Sequence, residues 1–190
     1  MLSIRTRQSY MKKLGFYKGK VDGIEGNLTK AGYRAIQESY FVREKDKDGV
    51  YGNDTDILLI NAYRVWKYAK NFTLEEFRCG CNGKHCTGYP VLLDVQLLKN
   101  VQKIRKKFGA TTITSGMRCK AYNNSLAGSS TVSKHMKGKA LDIFNVKTIT
   151  ENGRKVVMEY VKTLKNHNYT YCSIGGNYPN MGNAVHFDVK

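Results

Sequence analysis

Ser133-Lys-His-Met-Lys-Gly-Lys-Ala-Leu-Asp-Ile-Phe144 joins a turn to a strand. Gly138 allows the turn, and residues 140–146 read as a β-strand. Side chains alternate along a strand, so Ala140, Asp142 and Phe144 share one side. An acid among apolar neighbours costs free energy unless something pairs with it, and a divalent metal is such a partner. His135 stands seven residues before Asp142. A second segment, Ala184-Val-His-Phe-Asp-Val189, places Val185, Phe187 and Val189 on one face and His186 with Asp188 on the other. Together His135, Asp142 and His186 offer two imidazoles and a carboxylate, which suits a catalytic zinc with an open position for water. The spacing is a weak signal by itself, because surface histidines and an acid bonded to backbone satisfy it equally well.

Working outward, residues 111–115 and 169–174 read as further strands. Residues 94–108 carry Val95, Leu97, Leu98, Val101, Ile104 and Phe108 largely on one helical face. A second helix is expected over 151–165, and Thr73-Leu-Glu-Glu76 matches a capping box that opens a short one. Residues 72–190 therefore read as an α+β domain with a small, mostly antiparallel sheet. Residues 1–67 read differently. Asp22-Gly-Ile-Glu-Gly-Asn-Leu-Thr29 is echoed by Asp48-Gly-Val-Tyr-Gly-Asn-Asp-Thr55. Each copy reads as a glycine-bearing turn whose final threonine caps the helix that follows. With a first helix ending at Gly15, the expectation is a small all-α, three-helix module.

The chain of 190 residues has 41% hydrophobic residues and a formal net charge of +17. Enough apolar material is present for a core, so a disordered chain is excluded. No apolar run reaches the roughly 20 residues of a membrane span. The N-terminus lacks the unbroken apolar stretch of a secretory signal, which points to synthesis in the cytoplasm and action elsewhere after release. Most of the positive excess falls after residue 66 and favours a polyanionic partner: nucleic acid, anionic membrane or cell-wall polymer. The basic residues are scattered and no nucleic-acid motif occurs, so nucleic acid is the weakest of these. A monomer is favoured.

LGFYKGKVDGIEGNLTKAGYRAIQ and the second DGVYGNDT resemble the three-helix peptidoglycan-binding domain, which implies that residues 1–67 dock on cell-wall glycopeptide. ITSGMRCKAYNNSLAG, SKHMKGKALDIF and IGGNYPNMGNAVHFDV resemble the zinc D-Ala-D-Ala carboxypeptidase and L-Ala-D-Glu endopeptidase family. That resemblance covers nearly all of residues 72–190. It implies one catalytic zinc held by His135, Asp142 and His186, with Arg118 binding a substrate carboxylate. Arginine suits that task through its planar, two-pronged fork. Ser133, Ser115 and Tyr178 are expected to shape the substrate site, although serines also serve as turn and cap residues.

The pair of resemblances implies a modular wall hydrolase of the phage or prophage endolysin type, acting on peptidoglycan. A wall-binding protein without activity and a basic nucleic-acid-binding protein are the alternatives. Several branches of the family carry an acid three residues before the last histidine ligand, where this chain has Asn183. Asp188 is then either the proton acceptor or a carboxylate that orients another site group. Cys79, Cys81, His85 and Cys86 crowd one loop in a spacing that matches no standard zinc motif, so reduced, partly buried thiols are expected there.

Overall fold

The computed structural model describes residues 1–190. Three helices come first: α1 (Ile4–Leu14), α2 (Asn27–Tyr40) and α3 (Asn53–Tyr68). Ser3 opens α1 by accepting from Thr6 N, and Gly15 ends it at φ 87°, the left-handed cap that glycine adopts without strain. The two repeated turns are built alike around buried glutamines that the repeat itself did not reveal. Gln8 Nε2 donates to Asp22 Oδ1 (2.8 Å), Ile24 O (3.0 Å) and Thr29 Oγ1 (3.1 Å), and its Oε1 accepts from Gly23 N (2.8 Å). Gln37 does the same with Asp48 Oδ1 (3.0 Å), Val50 O (2.9 Å), Thr55 Oγ1 (2.9 Å) and Gly49 N (2.7 Å).

Thr29 and Thr55 therefore do not cap α2 and α3, contrary to expectation. They lie inside the first turns, and Gly26 and Gly52 are the N-caps. The threonine hydroxyls are committed instead to Ile24 O and Val50 O and to the glutamines.

Beyond α3, Thr73 and Glu76 form the expected capping box at the short 3-10 turn Leu74–Phe77. Three more helices follow: α4 (Val95–Phe108), α5 (Lys120–Ser125) and α6 (Glu151–Lys162). Asp94 caps α4 by accepting from Gln96 N and Leu97 N. The strands β1 (Thr111–Ser115), β2 (Ala140–Asn145), β3 (His167–Cys172) and β4 (Val185–Val189) form one sheet in the order β1-β2-β4-β3, antiparallel throughout. The helix α6 begins as expected but ends earlier than the pattern suggested, and β3 is shifted earlier by two residues. The chain reverses at Asn166, which has φ 59°, and so the strand begins at His167. The strand ends at Cys172 because Ser173 O accepts from Arg154 Nε and the chain then turns at Ile174 against Asn177.

Leu141, Ile143, Val185, Phe187 and Val189 join the core cluster with residues of α4 and α6. The same cluster continues without a break into Met11, Tyr33, Ile36, Leu58 and Leu59. Polar contacts reinforce the junction. Asn61 of α3 donates to Val91 O and accepts from Leu93 N, both at 2.8 Å, and Arg64 Nη1 donates to Leu93 O at 2.6 Å. No helix is long and apolar enough to cross a membrane.

Register decides where the chemistry falls. Ser115 opposes Asp142, Asp142 opposes His186, and His186 opposes Tyr171. One row of four side chains thus crosses the whole sheet.

Candidate metal centre

His135 sits on the 3-10 turn Lys134–Lys137, closed by Gly138 at φ 64°. A Cβ at position 138 would lie 2.1 Å from Leu92 O, so glycine is required there for space as well as for conformation. Gly138 O accepts from Asp94 N at 2.9 Å, which ties this turn to the start of α4. The turn brings His135 over β2, where Asp142 and His186 stand opposite one another on adjacent strands.

The three side chains converge. His186 Nδ1 lies 2.7 Å from Asp142 Oδ1, and His135 Nε2 lies 3.3 Å from His186 Nδ1 and 3.4 Å from Asp142 Oδ1. All three residues are buried, and one donor atom from each lies within 4.8 Å of the others.

The remaining nitrogen of each imidazole is held from behind. His135 Nδ1 is 2.8 Å from Gly116 O, and His186 Nε2 is 3.3 Å from Asp188 Oδ2. A carbonyl accepts only from an N–H, so His135 presents the lone pair of Nε2 to the cluster. Asp188 in turn accepts from Asn168 Nδ2 at 2.7 Å. Two imidazoles and a carboxylate with fixed orientations fit a zinc ion in both chemistry and aim.

Hydrogen bonds and ion pairs within the cluster set its electrostatics. Burial opposes ionisation of Asp142, but its contacts with His135 and His186 outweigh it and hold the carboxyl well below the ordinary range. Burial likewise opposes charge on His186, and its bonds to Asp142 and Asp188 prevail and raise its pKa. Asp188 is buried as well, yet contacts with His186 and Asn168 lower its pKa.

Arg118 flanks the cluster. Its Nη2 donates to Asp142 Oδ2 at 3.1 Å, and its Nε and Nη2 both reach Ser115 Oγ, at 3.1 and 2.9 Å. Ser115 thus steers the guanidinium, while Ser133 opens the turn of His135 without capping it through its side chain. Tyr171 stacks on His186 with ring centroids 4.5 Å apart, and Tyr178 packs on Tyr171 at 4.7 Å. Tyr178 is half exposed and adopts φ 51°. An open cavity of about 460 Å³ adjoins Asp142, lined also by Thr114, Ser115, Phe144, Asn183 and Ala184. Asn183 Oδ1 accepts from Arg154 Nη1 at 3.0 Å. Tyr171 and the Gly116 carbonyl escaped the sequence reading. Their roles follow from strand register and from a backbone atom, neither of which leaves a mark on residue spacing.

A family model described as peptidase M15 matches residues 70–176. The chain belongs to the peptidase M15 family. No curated protein matches it. The matched stretch of this M15 chain contains His135 and Asp142 but ends before His186. His186, beyond that stretch, stands opposite Asp142 across β2 and β4. M15 peptidases are zinc-dependent hydrolases, and the His135–Asp142–His186 set is one that could bind such an ion.

Proposed function

We propose that this M15 chain hydrolyses a peptide bond of the bacterial cell-wall stem peptide, either L-Ala–D-Glu or D-Ala–D-Ala, with a zinc ion held by His135, Asp142 and His186. The observation that carries this reading is the convergence of three buried donors, the two imidazoles oriented from behind, beside an open cavity. A zinc ion bound there supplies Lewis-acid polarisation of the scissile carbonyl and an acidified water.

The chain's own residues do the rest. Gly116 O and Asp188 lock the two rings, which removes the cost of orienting them when substrate binds. Arg118 uses Nε and Nη2 within the chain, and Nη1 is left to hold a substrate carboxylate. Tyr178 and Tyr171 offer an aromatic wall for the stem peptide, and Ser133 and Ser115 shape the site around His135 and Arg118. Asn183 is held by Arg154 and its amide cannot accept a proton at neutral pH. Asp188 bonds the far nitrogen of His186, a position that suits orienting the ring better than taking a proton from water.

Residues 1–67 are the proposed wall-binding part. A groove between α1, α3 and the 74–77 turn is lined by Lys13, Tyr40, Trp66, Lys70 and Glu75, among others. Trp66 is half exposed over Tyr63, which itself stacks on Tyr10 at 3.7 Å. Aromatic faces stack on sugar rings, and the flanking lysines suit wall carboxylates and phosphates. Docking would raise the effective concentration of scissile bonds at the zinc site. The test is digestion of purified peptidoglycan. Peptide release that stops on chelation and returns with added zinc is expected. Sedimentation with the wall and no release under any metal condition would leave a binding protein and overturn the enzymatic reading.

A further inference from the structure

We propose that Cys79, Cys81, Cys86 and Cys119 hold a second zinc ion, separate from the catalytic centre and structural in role. The sequence expectation was reduced thiols, with His85 as the fourth conceivable donor. The structure replaces His85 by Cys119, which arrives from a different part of the chain, and brings four thiols to a single point. The four Sγ atoms lie within 4.8 Å of one another. A tetrahedral Zn–S bond of about 2.3 Å sets sulfurs about 3.8 Å apart, so an ion fits with small adjustments. Cys81 Sγ and Cys86 Sγ are 3.4 Å apart, and none of the four forms a disulfide.

The local build serves convergence. The loop reverses at Asn82 and Gly83, with φ 48° and 82°, which brings Cys86 back to Cys79 and Cys81. Cys119 caps α5, its sulfur accepting from Tyr122 N at 3.4 Å, and Cys79 Sγ accepts from Cys119 N at 3.3 Å. Backbone N–H groups aimed at sulfur stabilise thiolates, which is the form that binds metal. Tyr122 covers the loop so closely that a Cβ at position 80 would lie 2.7 Å from its hydroxyl. Soft thiolates in a closed tetrahedral set select zinc over hard cations, and four protein donors leave no position for water.

The setting gives the ion a task. Residues 78–94 contain neither α-helix nor strand, so few ladder hydrogen bonds hold them. A tetrathiolate centre would crosslink this loop to the start of α5. Arg118 directly precedes Cys119, and Arg118 N donates to His135 O at 3.2 Å. Gly116, whose carbonyl holds the His135 ring, lies on the same turn. The ion would thus brace, from outside, the segment that orients both Arg118 and His135.

The test uses the full chain with both catalytic imidazoles removed, His135→Ala/His186→Ala, so that its outcome is independent of the peptidase reading. Elemental analysis is expected to find one zinc per chain. Cobalt exchange is expected to give an intense near-ultraviolet thiolate charge-transfer band, and Cys79→Ser in this background is expected to remove both. In the wild-type chain, titration with an organomercurial is expected to release one of two zinc ions, a measurement that needs no variant to fold. A folded double variant without zinc, an intact mass lowered by disulfide formation, or mercurial titration that frees no zinc would each overturn the proposal.

Discussion

The two donor clusters of this chain are built in opposite ways. His135, Asp142 and His186 bring nitrogen and oxygen together on a turn and two paired strands, and hydrogen-bond register sets their approach. Cys79, Cys81, Cys86 and Cys119 bring sulfur together from an irregular loop and the cap of a short helix. Three donors beside an open cavity leave room for a reacting molecule, whereas four close the coordination sphere. A sheet fixes positions before any ligand arrives, so it can carry a centre that must stay open. A loop lacks that prior order, and a closed thiolate centre would supply it.

The contrast can be broken most sharply at Asp142. Asp142→Ala removes a donor and leaves Arg118 facing the space it filled, so peptide release should fall to background and one zinc per chain should remain on the thiols. Loss of both ions in that variant, read by elemental analysis, would mean that the clusters are not independent.

Asp188→Asn should act more mildly, because it touches the centre only through His186. A loss of about tenfold to a hundredfold in zinc affinity or activity is expected, as for a carboxylate that orients a ligand. Zinc titration alongside kcat separates the possibilities. Full zinc content with a collapse in kcat would make Asp188 the proton acceptor instead.

Arg118→Lys should raise KM about tenfold for substrates with a free carboxylate, since lysine keeps the charge but cannot hold Ser115 and Asp142 while presenting a further nitrogen to substrate. An unchanged KM would assign Arg118 to holding Asp142 alone. Trp66→Ala should have the smallest effect, about threefold to tenfold weaker co-sedimentation with the wall, with unchanged turnover of a small soluble peptide.

The shared face of His186 and Asp188 was legible in the sequence because strand alternation sorts them from Val185, Phe187 and Val189 without any knowledge of neighbours, whereas the grouping of His186 with His135 and Asp142 as a metal set was carried by the family resemblance. Gly138 was legible for a similar reason, since a turn there depends on local conformation. Tyr171 was not, because its place beside His186 depends on the pairing of β3 with β4. Cys119 was hidden likewise, as a fourth thiol that only the folded chain brings to the other three. The turns of residues 22–29 and 48–55 were visible as a repeat, yet the glutamines that organise them lie outside it on α1 and α2. The capping role expected of Thr29 and Thr55 failed for that reason. Their hydroxyls had better partners in Gln8 and Gln37 than in the helix ends.

The most direct test of the account is mass spectrometry of the fragments that the wild-type chain and His135→Ala release from purified peptidoglycan. New stem-peptide termini from the wild type alone, absent after chelation, are the expected result and would name the bond cut. Equal release by both proteins, or release that survives chelation, would contradict a zinc peptidase centred on His135, Asp142 and His186.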